Sequence, residues 1–128
     1  MAKIGVVVVS GMRERLQMAA MVASVGAVSG HEVAVFLSMN ALPYFRQGVE
    51  PLALAEGEVG VRLEERRAPP FKQLFQQAVE LGQAKLYPCS MAMDVLGLQR
   101  EDLEPYLAEP LGLTKFLEDC QDAQVWSF

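Results

Sequence analysis

The run Lys3-Ile4-Gly5-Val6-Val7-Val8-Val9 constrains what this chain can fold into more than any other feature. Its apolar, β-branched side chains fall on both faces, whereas a strand with one face in water alternates apolar with polar. The run is therefore read as a central strand covered on both sides, which is the setting of a parallel sheet flanked by helices. Ser10-Gly11 punctuates, and Met12 to Val28 then places Leu16, Ala19, Ala20, Ala23 and Ala27 at the three-and-four spacing of a helix. Met18, Met21, Val22 and Val25 widen that stripe beyond one face and leave a narrow polar strip of Arg13, Glu14, Gln17 and Ser24. A helix this apolar is either deeply buried or in contact with another subunit. Ser29-Gly30-His31-Glu32 breaks it, with Gly30 suited to a left-handed cap, and Val33 to Leu37 supplies a second buried strand. Parallel neighbours need a covering crossover, so this opening predicts a three-layer α/β/α sandwich with a mainly parallel sheet of four to five strands.

The rest of the chain fits that plan unevenly. Asn40 is expected to cap a short helical piece, Ala41 to Gln47, with Pro43 tolerated in its first turn. From Gly48 to Pro70 the pattern is interrupted by Pro51, Gly57, Gly60, Pro69 and Pro70, and reads as a long loop or flap. Within it Val59, Val61 and Leu63 alternate, as in a short edge strand. Phe71 to Leu81 is the clearest amphipathic helix, stopped by Gly82. Ala84 to Pro88 is the next strand, and Cys89 follows at once. Arg100 to Leu107 reads as helical turns interrupted at Pro105, and Thr114 as the cap of a helix bearing Leu113, Phe116, Leu117 and Cys120. Gln124 to Phe128 closes the chain as a strand. With 128 residues, 52% of them apolar, residues 1–128 are expected to form one domain around one core.

Charge narrows the function classes. Sixteen acidic against 11 basic residues give a net charge of −5, which argues against nucleic acid or an anionic membrane surface as the partner. The N-terminal apolar run is far shorter than the roughly 20 residues of a membrane span, and no signal-peptide cleavage pattern follows it, so a cytoplasmic protein is expected. Cys89 and Cys120 form no CxxC pair, which gives a structural zinc site or a redox dithiol no support.

In open α/β sheets reactive groups collect beyond the carboxyl ends of the strands, and the sequence places Cys89 there. If Ser90 to Val95 is helical, the backbone N–H groups after Cys89 favour a thiolate, the nucleophilic form of sulfur. Cys89 as a small buried hydrophobe is the competing reading. Cys120 shares a stripe with Phe116 and reads as core. Met91 and Met93 either wall a sulfur-bearing substrate or fill space, and Asp94 either holds the motif loop or is an ordinary first-turn acid. Gly97 suits a positive φ. Ser10 and Gly11 open the first helix near Arg13 and Arg15, where an anion could sit, although neither GxxxxGK[ST] nor GxGxxG is present. The single histidine, His31, reads as a turn residue at the far end of the sheet, so a Cys-His dyad is not expected.

The segments KIGVVVVSG (Lys3 to Gly11), GHEVAVFL (Gly30 to Leu37) and above all YPCSMAMDVLGL (Tyr87 to Leu98) resemble the DsrE/DsrF-like family. The resemblance runs over most of the chain but places nothing between Gly48 and Pro70. It implies a compact α/β fold, assembly into homo-oligomers (trimers or hexamers), and a sulfur-relay or sulfur-carrier role through a cysteine persulfide, a sulfurtransferase-like activity carried by Cys89. Of the family's functional positions only the cysteine carries over, onto Cys89; Ser10, Gly11, Ser90, Met91, Met93 and Asp94 are candidate substrate-binding residues from the reading of the residues themselves. Protein partners bearing thiols or persulfides are implied, with no metal or organic cofactor. Two other readings stand beside it: a non-catalytic binding or structural subunit of an oligomer, joined through the Met12 to Val28 helix, and a binder of a small anion.

Overall fold

The computed structural model describes residues 2–49 and 52–128. Four strands, β1 (Lys3–Val8), β2 (Glu32–Leu37), β3 (Lys85–Pro88) and β4 (Gln124–Ser127), form a wholly parallel sheet in the order β3-β2-β1-β4. Helices α1 (Arg13–Val28) and α3 (Phe71–Gly82) pack on each other and cover one face. Ile4 and Val33 meet α1 at Gly26. The opposite face carries α5 (Leu113–Asp119), where the Phe116 ring lies 5.0 Å from that of Phe36 and Cys120 lies over Gly5. Two more helices, α2 (Glu58–Glu65) and α4 (Ser90–Leu96), stand at the carboxyl end of the sheet. This is the sandwich expected from the first strand. Each large core side chain, such as the fully buried Leu16, Leu37, Phe45, Phe75 or Leu86, stabilises the fold by roughly 1.5–3 kcal/mol.

The course of the chain opens a gap at one end of the sheet. After β2 it passes through a 3-10 segment, Met39–Phe45, and α2 to α3, on the α1 face. After β3 it passes through α4 to α5, on the opposite face. Strands β2 and β3 are neighbours, so the loops leaving them diverge to opposite sides and open a gap at the carboxyl ends.

Several local expectations are corrected. Residues Val59 to Leu63 belong to α2 and not to an edge strand. The cause is distant: the Glu14 carboxylate of α1 accepts the N–H groups of Glu56 (2.7 Å), Gly57 (2.6 Å) and Gly60 (3.2 Å), and so caps α2 from another element. Pro51 lies outside the described residues. The 3-10 segment begins at Met39 with Ser38 in the cap position, so Asn40 does not cap it; the Asn40 N–H instead bonds the Val9 carbonyl. Gly112, not Thr114, precedes α5, and Leu113 and Leu117 are half exposed rather than core.

Gly82 does not supply the turn that ends α3. Gln83 takes the left-handed conformation (φ 59°), while Gly82 is the last helical residue, where an added Cβ would lie 2.4 Å from the Cβ of Ala27 and 2.6 Å from its carbonyl carbon. Glycine is needed there for helix contact. Gly30 and Gly97 do take positive φ, 94° and 68°, as expected.

Helix α1 is inverted relative to an ordinary amphipathic helix. Gln17 and Ser24, from its polar strip, are buried, whereas Met18, Met21, Val25 and Val28 are 43–64% exposed. The first bonds the Pro69 carbonyl through Nε2 (2.9 Å) and the second bonds back to the Met21 carbonyl. The outward face of α1 is thus a continuous apolar stripe.

Candidate functional site

Strand β3 ends at Pro88, in register with Leu37, the last residue of its partner β2. Cys89 comes next. Its N–H donates to the Leu37 carbonyl (2.9 Å), which extends the ladder by one step, and its φ of −71° and ψ of 121° leave the helix unstarted. Cys89 is therefore the cap residue of α4, and its Sγ accepts the N–H of Ala92 at 3.5 Å. A backbone donor held on a sulfur steadies negative charge there, on a thiolate or on a persulfide. The thiol is 4% exposed. Leu111 pairs with Cys89 in a parallel bridge, and the Ser90 N–H donates to the Leu111 carbonyl (2.9 Å), so the segment before α5 closes one side of the cysteine.

The other motif residues divide by their position on α4. Met93 is 7% exposed and packs into the core, while Met91 is 57% exposed. Asp94 is exposed and holds no loop N–H with its side chain among the described residues; its backbone carbonyl accepts from Gly97. Val95 and Leu96 add to the exposed apolar surface of α4. Ser90 is half buried, near Gly112. The 3-10 segment opening with Met39 packs against α4, and Met39 itself is held at a φ of 51°, a left-handed backbone that side-chain-bearing residues adopt at a cost.

Ser10 and Gly11 line a cleft of about 520 Å³ with Met12, Asn40, Tyr44 and Arg46, beyond the carboxyl ends of β1 and β2, and Cys89 is not among its lining residues. There the Ser10 hydroxyl accepts the Met12 N–H (3.0 Å), and the Tyr44 hydroxyl donates to the Gly11 carbonyl (3.1 Å). Arg13 and Arg15 are tied to α2 instead: Arg13 bonds the Gly60 carbonyl (2.6 Å) and pairs with Glu64 (3.3 Å), and Arg15 pairs with Glu56 (3.4 Å).

Cys120 is a second free thiol, 4% exposed against Gly5. Burial pushes it up from its ordinary value, Lys3 acts against this, and Asp119 and Glu32 add to it. It stays protonated at neutral pH and suits packing. His31 accepts the Ala2 N–H through Nδ1 at the opposite end of the sheet. Among the described residues no cluster of His, Cys, Asp and Glu could hold a metal ion, and no helix is long and apolar enough to cross a membrane.

Leu111 and Gly112 beside Cys89 and Ser90, and Asn40, Tyr44 and Arg46 around the cleft, were not singled out from sequence as site residues. Their placement rests on contacts between distant segments, for which no local spacing is a signal.

The sequence model of the DsrE/DsrF/DrsH-like family matches residues 42–128, about two thirds of the chain, with the whole Cys89 segment inside the match. The chain belongs to this family. Family membership supports a sulfur-relay type of role at the level of the family. Among solved structures the chain is similar to the ychN protein from E. coli, 19% identical with a TM-score of 0.72, covering 100% of both chains. It is also similar to the protein of unknown function MTH1491 from Methanobacterium thermoautotrophicum, 11% identical with a TM-score of 0.64, again over 100% of both chains. At these identities the likeness establishes the fold. No curated protein matches the chain.

Proposed function

We propose that the protein is a sulfur carrier that accepts and passes on sulfane sulfur through Cys89. The observation that carries this reading is the placement of Cys89 at the strand end where the chain changes faces, with its Sγ on the Ala92 N–H. As a thiolate, Cys89 attacks the outer sulfur of a donor persulfide R–S–SH. The new S–S bond forms on Cys89 as the donor's own S–S bond breaks, giving Cys89–S–SH and the donor thiolate. An acceptor thiolate then attacks the outer sulfur in the same manner, and Cys89 leaves as thiolate. Electrons balance in each step without an external oxidant.

The low exposure of Cys89 gives the carrier a preference for a docked protein partner over thiols in bulk solution. Met91, Val95 and Leu96 offer that partner an apolar surface beside the thiol. Ser90, Met91, Met93 and Asp94 shape the approach to sulfur, while Ser10 and Gly11 contribute through their neighbouring cleft. The apolar stripe of α1 joins copies of the chain into a homo-oligomer, and the carrier works in the cytoplasm, where thiols stay reduced.

The burial of Cys89 also favours a second reading, a non-catalytic subunit of an oligomer. Single-turnover transfer separates the two. With a donor persulfide labelled in its sulfane sulfur, label should appear on the protein and move to an added acceptor thiol, and Cys89→Ser should take none. A wild-type protein that takes no more label than Cys89→Ser would be a structural subunit.

A further inference from the structure

We propose that the pocket between α1, α2 and the start of α3 binds a small apolar molecule carrying one anionic group. The pocket holds about 310 Å³, at the small end of the roughly 300–1,000 Å³ usual for small-molecule sites. Its walls are apolar: Leu52, Ala53, Leu63, Ala68, Pro70 and Phe71. Four polar residues, Arg13, Gln17, Glu64 and Arg67, complete the lining. Apolar walls with a few polar groups fit an apolar body and one head group.

The charge of the head group follows from which polar groups are already used. Arg13 is committed to Glu64 and to the Gly60 carbonyl, so that pair is internally balanced. Gln17 donates to the Pro69 carbonyl. Arg67 makes no ion pair or side-chain hydrogen bond among the described residues, and is the cation left for a ligand.

Its backbone adds an independent observation. Arg67 has a φ of 53° in the turn ending α2, where its N–H donates to the Glu64 carbonyl and the next N–H, of Ala68, donates to the Leu63 carbonyl. This pattern of caps ordinarily has glycine at the left-handed position, because a side chain there is strained. Here arginine occupies it at the pocket's edge, and Leu63 and Ala68, bonded across the same turn, form part of the wall. A residue that capping does not require thus stands where a guanidinium serves an anion.

The pocket is distinct from the Cys89 site, but one wall is shared with the neighbouring cleft. Leu52 and Ala53 line the pocket, and Leu54, bridged to Met12, lines the cleft with Ser10 and Gly11. Helix α2 forms the roof, and it rests on α1 through Arg13 and Glu14 with only Gly60 of its residues buried. A bound ligand therefore adds apolar contact to a roof otherwise held by polar clamps.

The test uses the fluorescent anion 8-anilinonaphthalene-1-sulfonate, with its uncharged analogue N-phenyl-1-naphthylamine as control, on the full chain and on Arg67→Gly. Glycine preserves the cap, so this variant should fold at least as stably as the wild type. Sulfonate binding should be saturable and weaken on the order of tenfold in Arg67→Gly, as expected for loss of a charged hydrogen bond, while the uncharged analogue should not distinguish the proteins. Amide NMR shifts should centre on Ala53, Leu63, Ala68 and Phe71. Shifts centred on Met18, Val25 and Val28 of α1, or equal affinity of the sulfonate for both proteins, would overturn the proposal.

Discussion

Arg13 and Glu14 set the position of α2. The Glu14 carboxyl is held below its ordinary value chiefly by the Glu56 N–H, against some desolvation, with the N–H groups of Gly57 and Gly60 contributing. Because the folded-state value is depressed, the contribution of this clamp is complete above the ordinary value of 4.5 and is lost as pH falls through the folded value. Hydrogen exchange should therefore show the amides of Gly57 and Gly60 losing protection in acid before the α1 core does. Glu14→Gln, which loses the charge and one full acceptor, should show the same loss at neutral pH. Unchanged protection in Glu14→Gln would mean that α2 is held by something other than the clamp.

At the scale of the elements, α1 and α3 approach closely at Ala27 and Gly82. Gly82→Ala places a methyl group against backbone, which a flexible side chain cannot relieve, so urea denaturation should show a loss of about 1–3 kcal/mol. A neutral or stabilising result, as for a glycine that merely ends a helix, would contradict the contact. The same position shows where sequence reading reaches its limit. Strands β1 to β3, α1 and α3 were legible because burial imposes their periods on local sequence, and Cys89 at the end of β3 followed from that order; β4, exposed along its length, was read from its β-branched and aromatic residues alone. Helix α2 was not, since its cap is a carboxylate 42 residues or more away in the chain and its own Val59 and Val61 are exposed, so no apolar stripe marks it. The candidate site was legible in the same measure: the Tyr87 to Leu98 segment stood out, but the cleft that Ser10 and Gly11 share with Asn40, Tyr44 and Arg46, and the closure of the cysteine by Leu111, depend on tertiary contacts.

For the whole molecule, the outward face of α1 is an exposed apolar stripe, and the proposed assembly of copies through it is testable. Val25 is 64% exposed in the middle of the apolar stripe, so Val25→Asp should leave the fold intact and shift sedimentation toward a smaller species. Identical sedimentation of variant and wild type would remove α1 as the joining surface. The carrier function itself is tested most directly by intact-protein mass spectrometry after incubation with a persulfide donor, comparing wild type, Cys89→Ser and Cys120→Ser with and without reductant. A reducible gain of one sulfur atom in the wild type and in Cys120→Ser, absent in Cys89→Ser, is the predicted result. No adduct in the wild type, or an adduct that follows Cys120, would contradict the account.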